Sequence, residues 1–203
     1  MRKFITLAAI FIMFIAAAYF TACKNGKSAS QATNKEDSLK KVLERGSYLT
    51  NRVAGCIDCH SKRDFTKYSG PVIPGTEGGG GLVFDQKLAM IPGTLYGRNI
   101  TPDPETGIGT WTDDEILRAM TQGISKNGDT LFPLMPYPNY NHMAKEDLLS
   151  IIAYIKTLKP IKNKVPARQL MMPVSMMYPA AALQASIDGN TRPPETDKVA
   201  YGG

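Results

Sequence analysis

The chain has 203 residues, 43% of them hydrophobic and 21% charged, with three cysteines and a formal net charge of +6. Basic residues are scattered and aromatic residues dispersed, which excludes a nucleic-acid surface built from a dense cationic run or a base-stacking platform. With residues 1–22 set aside, the remaining length suits one domain, and its balance of about +4 is that of an ordinary solvated surface.

Met1-Arg2-Lys3 is followed by an almost unbroken apolar run from Phe4 to Phe20, the pattern of an export signal. The run closes in Phe20-Thr21-Ala22-Cys23, which resembles a bacterial lipobox. Residues 1–22 are therefore expected to be a lipoprotein signal peptide, with Cys23 the lipidated residue. An uncleaved anchor is the alternative, because seventeen apolar residues could span a thin bilayer. Lys24 to Lys35 is Ser, Ala, Asn, Gln, Gly, Thr and Lys without apolar periodicity, and residues 23–35 read as a flexible tether of roughly 20 Å reach.

A helix is expected from about Glu36 to Arg52, where Leu39, Val42, Leu43, Gly46, Leu49 and Val53 recur at helical spacing. Gly46 costs roughly 1 kcal/mol there against alanine, which a close helix crossing would explain. The helix leads into Cys56-Ile57-Asp58-Cys59-His60, a C-x-x-C-H sequence and the attachment signature of a c-type haem. Two thiols at this spacing match the two vinyl groups of one haem, and His60 becomes the proximal ligand. A dithiol redox site would sit in a βαβ pattern and a zinc site needs a second ligand pair; neither is present. Such haems are attached outside the bacterial inner membrane, which agrees with export.

Ser61 to Pro104 is broken by Pro71, Pro74, Gly75, Gly78 to Gly81, Pro92 and Gly93, and reads as a long loop that wraps a cofactor edge. Gly78 to Gly81 lacks the Lys-Ser/Thr of a phosphate loop. A second helix begins at the capping box Thr112-Asp113-Asp114-Glu115, carries Ile116, Leu117 and Met120, and can end at Gly123. Leu131 to Asn141, rich in Pro and Tyr, is expected to be extended. The last helix runs from about Lys145 to Leu158 and is stopped by Pro160. Residues 36–166 form the expected domain, and 167–203 an irregular Met- and Pro-rich strap with a polar, disordered tail.

An electron-transfer haem needs a second axial ligand, usually Met or His. Met135 stands in Phe132-Pro133-Leu134-Met135-Pro136-Tyr137, where flanking prolines fix the backbone, and Tyr137, Asn139 and Tyr140 are donors able to orient the sulfur or the haem edge. His142, Met90 and the tail residues Met171, Met172, Met176 and Met177 are the alternatives, while Met120 reads as core.

From about Lys40 to Pro166 the chain resembles the class I cytochrome c family, and more narrowly the cytochrome c domains of membrane-bound alcohol, aldehyde and gluconate dehydrogenases. The motifs are Gly46-x-Tyr48-Leu49, Gly55-Cys56-x-x-Cys59-His60, Asn99-Ile100-Thr101-Pro102-Asp103, Thr106-Gly107-Ile108-Gly109-x-Trp111, Pro133-x-Met135-Pro136 and Ala153-Tyr154-Ile155-Lys156-Thr157-Leu158. The resemblance implies an all-α class I fold, with three or more helices and long irregular loops wrapped around one covalent haem. It also implies His60 and Met135 as axial ligands, Gly46 and Tyr154 at the crossing of first and last helices, and Trp111 beside the haem. Arg98 and Asn99 are candidates either to bind a propionate or to shape a turn. Pro71, or alternatively Pro74, is the candidate carbonyl acceptor for the His60 ring N–H.

The expected function is single-electron transport without catalysis. It would run between a dehydrogenase donor and an oxidase acceptor, on a bacterial cell-membrane lipoprotein facing the periplasm. The rival is a haem enzyme or gas sensor with a displaceable sixth ligand, His142 supplying the distal polar group.

Overall fold

The computed structural model describes residues 35–177 and 186–202. The expected signal peptide, Cys23 and nearly all of the expected tether lie outside the described residues. Among the described residues no helix is long and apolar enough to cross a membrane. Val42–Gly203 forms one compact unit, which contains the haem motif and every candidate ligand.

The chain is helical over 35–48 (α1) and passes into a π-helical turn, Leu49–Val53. Helix α2 is a single turn, Cys56–Cys59. Strand β1 (Val83–Phe84) precedes the turn α3 (Gln86–Ala89), then β2 (Gly93–Tyr96). Helix α4 is Asp113–Gln122, α5 Tyr137–Tyr140, and α6 Lys145–Ile155. Strand β3 (Gln169–Leu170), α7 (Val174–Met177) and α8 (Lys198–Gly202) complete the order.

Helix α4 starts and stops where its sequence dictates. Thr112 Oγ1 accepts from the Glu115 N–H while the Glu115 carboxylate accepts from the Thr112 N–H, and Gly123 closes the helix at φ 67°. The regular part of α6 ends at Ile155, earlier than Leu158, because the last turn tightens: the Thr157 and Leu158 N–H groups donate to Tyr154 O and Ile155 O. The expectation of an extended Leu131–Asn141 is corrected by α5. Pro138 lies in its first turn, where a missing N–H costs no helical bond.

The secondary structure is helical with a few short strands, a departure from an all-α reading. β1 pairs antiparallel with β2 (Val83 opposite Tyr96) and β2 with β3 (Gly93 opposite Leu170). Val-Phe and Thr-Leu-Tyr are strand formers, and their side chains need only a small second core to cover them. Ile91, Leu95, Phe132 and Val174 supply it. The expected loop is thereby partly structured.

The main core gathers Leu49, Ile108, Ile116, Met120, Tyr140 and the α6 residues Leu148, Ile151, Ile152 and Ile155. Leu148 and Ile151 are wholly buried, each contributing about 1.5–3 kcal/mol of transfer free energy. Ile187, in the segment expected to be a polar tail, joins this core. Gly46 sits where α1 meets α6: a Cβ there would collide with the Ser150 carbonyl and stand 2.8 Å from the Tyr154 Cβ. The crossing implied for Gly46 and Tyr154 is present. Beside it, Arg45 donates to both Asp147 oxygens (Nε–Oδ1 2.9 Å, Nη2–Oδ2 2.8 Å), and Arg192 of the tail donates to Oδ1 as well.

Gly46→Ala is expected to destabilise the protein by roughly 1–3 kcal/mol, the usual cost of one methyl forced into a packed contact. An unchanged urea midpoint would show that α1 and α6 do not meet there. Burial pushes the Asp147 carboxyl up, but the hydrogen bonds and charges of Arg45 and Arg192 outweigh it and hold the group below the ordinary carboxylate range. Its contribution is complete above the unfolded-state value of about 3.9 and is lost as pH falls through the lowered folded value. Stability of the wild type should therefore fall more steeply than that of Asp147→Asn from about pH 4 downward; parallel curves would contradict the triad.

Candidate functional site

The π-helical turn ends α1 with the Ala54 N–H donating to Leu49 O at 2.8 Å. Gly55 follows at φ 62°, a left-handed conformation that a side chain disfavours, and redirects the chain into α2. Residues i and i+3 share a helix face, so Cys56 and Cys59 sit one turn apart on one side. Both thiols are free. Cys56 packs against the main core, and burial pushes its thiol up to about 12. Cys59 is exposed; residual burial and the Asp58 carboxylate raise it, against the opposing charge of Arg63.

His60 closes the turn, its N–H donating to Cys56 O at 2.9 Å. Its ring Nδ1 lies 2.7 Å from the Arg98 carbonyl oxygen. A carbonyl only accepts, so Nδ1 carries the proton and the lone pair stands on Nε2. Burial lowers the imidazole's affinity for a second proton and outweighs the bond to Arg98, so the ring is held neutral. The acceptor is thus Arg98, not Pro71 or Pro74; Pro71 O instead accepts from the Asp64 N–H at 2.9 Å.

Glycines let the backbone press against this turn. A Cβ on Gly97 would collide with Cys59 O, and one on Gly80 (φ 73°) would lie 2.7 Å from Arg98 C and Asn99 N. The Gly80 N–H donates to His60 O (2.7 Å) and the Gly81 N–H to Gly97 O (2.8 Å). Buried Ser61 ties the same layers, donating to Ile57 O at 2.6 Å and accepting from the Gly78 N–H at 3.0 Å.

Met135 is half-buried and packs against the main core, as do Cys56 and Trp111. Its turn is fixed by the Met135 N–H to Phe132 O (3.2 Å) and the Tyr137 N–H to Met135 O (2.7 Å). Tyr140, expected to orient the sulfur or the haem edge, does something else: its hydroxyl donates to Ala54 O at 2.7 Å, joining α5 to the segment just before Cys56. The alternatives stand apart, with Met90 81%, Met171 82% and Met176 71% exposed, and His142 exposed too. Met172 is also exposed, and the Met177 side chain lies outside the described residues. Met143, not singled out in the sequence, is half-buried against the same core.

Of the two readings of Asn99, the structure displays turn shaping. Its Oδ1 accepts from the Thr101 N–H (3.0 Å) and hydroxyl (2.7 Å), and its Nδ2 donates to Thr106 Oγ1 (3.0 Å) and Ile161 O (2.7 Å). Arg98 Nη1 donates to Pro166 O at 2.9 Å and Val165 O at 3.3 Å. The Asn99-to-Gly109 block is a knot, in which a Cβ on Gly107 would strike Thr101 O and one on Gly109 Pro102 O. Nothing in the sequence marks the Arg98 carbonyl, because a backbone acceptor carries no side-chain signature.

Two free thiols one helical turn apart, a neutral imidazole with an available Nε2, and a half-buried thioether on the same core are a donor set that fits a covalently attached haem.

No protein-family model matches the chain. Among curated proteins it is 32% identical over 155 residues to "Alcohol dehydrogenase (quinone), cytochrome c subunit" of Gluconobacter oxydans (strain 621H), covering 76% of this chain and 29% of that one. It is 36% identical over 141 residues to "Gluconate 2-dehydrogenase cytochrome c subunit" of Pantoea cypripedii, covering 69% and 29%. It is 34% identical over 138 residues to "Fructose dehydrogenase cytochrome subunit" of Gluconobacter japonicus, covering 66% and 25%. The chain thus spans under a third of the length of these curated relatives. The first match is too long to miss the stretch from Cys56 to Met135. The chain is a cytochrome c relative, similar over about two thirds or more of its length to the cytochrome c subunits of alcohol, gluconate and fructose dehydrogenases.

Proposed function

We propose that the chain is a membrane-anchored electron carrier. Cys56 and Cys59 would hold one haem c covalently, and His60 and Met135 would be its two ligands from the chain, in a class I cytochrome c fold. The observation that carries this reading is the 2.7 Å contact of His60 Nδ1 with Arg98 O, which leaves Nε2 as a neutral donor beside two free thiols. The haem, when bound, supplies a one-electron couple. The chain's own residues would hold it and supply its protein ligands.

His60 gives its lone pair without having to shed a proton, because Nδ1 is already committed to Arg98. Met135 offers a soft thioether, which favours the reduced metal. With both His60 and Met135 committed to the haem, no chain residue would be left to displace for substrate, which favours a transfer role over a catalytic one. Exposed Cys59 and the loops beside it form the face where an electron enters or leaves. Relatives named as dehydrogenase subunits support a dehydrogenase donor; an oxidase acceptor completes the proposed route. Lipidation at Cys23, after removal of residues 1–22, would fix the protein as a bacterial cell-membrane lipoprotein facing the periplasm.

Absorption spectra of the membrane-derived protein test the ligands. A low-spin haem with the far-red band of methionine ligation is expected, and slow binding of carbon monoxide when reduced. Met135→Ala should abolish the band and admit carbon monoxide, whereas Met143→Ala and His142→Ala should leave both unchanged. Loss of the band in either of those variants, but not in Met135→Ala, would move the ligand. Replacing both Cys56 and Cys59 by Ser should remove both thioethers, seen as haem released under denaturing conditions that leave the wild type intact; equal retention would contradict the attachment.

A further inference from the structure

We infer that Asn190 is a positioning residue for the Met135 ligand, acting through the loop from which Met135 hangs; this rests on the proposed His60–Met135 ligation. Met135 is tied to α5 by the Tyr137 N–H, which donates to its carbonyl at 2.7 Å. Helix α5 has four residues, and its end tightens into the next turn, with the His142 N–H donating to Asn139 O at 3.1 Å and the Met143 N–H to Tyr140 O at 3.0 Å. On one side it is anchored by the Tyr140 hydroxyl to Ala54 O, next to the haem motif. On the other side the anchor comes from a segment remote in sequence. Asn190 Nδ2 donates to Asn141 O at 2.9 Å and to Met143 O at 3.0 Å, gripping the stretch between α5 and α6 at two successive points.

The same residue completes the start of α6. Ala144 occupies the N-cap and has no side chain able to accept from the first turn. The Lys145 N–H donates instead to Asn190 O at 3.1 Å. Asn190 is itself held in place. Its N–H donates to Ile187 O at 3.0 Å, Ile187 is 7% exposed within the main core, and the Arg192 N–H donates to Glu146 Oε1 at 3.0 Å. One side chain and its carbonyl thus fix both ends of the 141–145 connection. A ligand loop clamped at Ala54 and at Asn190 has little freedom to swing its thioether away. With the Asn190 side chain gone, the Asn141 and Met143 carbonyls lose the two bonds that tie this connection to the tail.

The test uses the full haem-loaded chain and follows the far-red band against pH, together with carbon monoxide binding to the reduced protein. Asn190→Ala is expected to speed carbon monoxide binding by about tenfold, the scale of one to two lost hydrogen bonds, and to shift loss of the band toward lower pH. Asn190→Asp keeps the shape but removes both N–H donors, and should behave alike if Asn190→Ala does not accumulate. Asp188→Ala is the control, since it removes the tail's ion pair with Lys145 without touching the 141–143 carbonyls, and should leave both readouts at wild-type values. Equal effects in the Asp188 and Asn190 variants would reduce the tail to a general strap and overturn the inference. Wild-type behaviour of both Asn190 variants would overturn it while leaving the ligation intact. Absence of the band from the wild type would remove the ligation and the inference together.

Discussion

The hydrogen bond from His60 Nδ1 to the Arg98 carbonyl is the contact on which the site depends. An imidazole free to rotate, or free to hold its proton on either nitrogen, would make a poor metal ligand. Here a fixed acceptor settles both questions before any metal is present. The surrounding architecture serves that contact. Gly97 lets the strand end lie directly on Cys59, Gly80 lets a second layer lie on Arg98 and Asn99, and the Asn99 knot holds the Arg98 peptide in register. The conformational freedom of these glycines is useful because backbone must touch backbone where a side chain would intrude.

A second theme is how separate stretches are brought to the same core. Cys56 lies after α1, Trp111 before α4 and Met135 before α5, yet all three flank one cluster led by α6. Gly46 permits α1 to approach α6 closely, and Tyr140 ties the methionine-bearing turn to the end of α1. The distance along the chain between Cys56 and Met135 is therefore spanned by packing and by one buried hydroxyl. A donor set held by packing in this way suits the proposed carrier role.

Much of the fold is legible in the sequence, for physical reasons that differ by element. The Thr112–Glu115 capping box and Gly123 specify α4 because side-chain chemistry at those positions acts locally. The C-x-x-C-H turn is legible because its residue types and spacing are a local signature. Gly46 signals a close crossing because its conformational cost needs a packing reason. The features that escape a sequence reading are non-local or carried by backbone. The Arg98 carbonyl is such a case. So is the β1–β2–β3 pairing, in which strands of two to four residues are covered by a small core completed by Phe132 and Val174. The tail escapes too, since Ile187 and Asn190 stand among polar residues and show no periodicity until α6 and the 141–145 connection are placed against them. α5 is hidden because proline reads as a breaker, whereas here it begins a helical turn.

The most direct test is whether Met135 supplies the sulfur ligand proposed beside His60. Proton NMR of the reduced, haem-loaded chain with isotopically labelled methionine methyl groups reads it without perturbing the site. The account predicts one methyl resonance displaced far upfield by the porphyrin ring current and assigned to Met135. Assignment of that resonance to Met143, or a reduced spectrum with no displaced methyl at all, would contradict it.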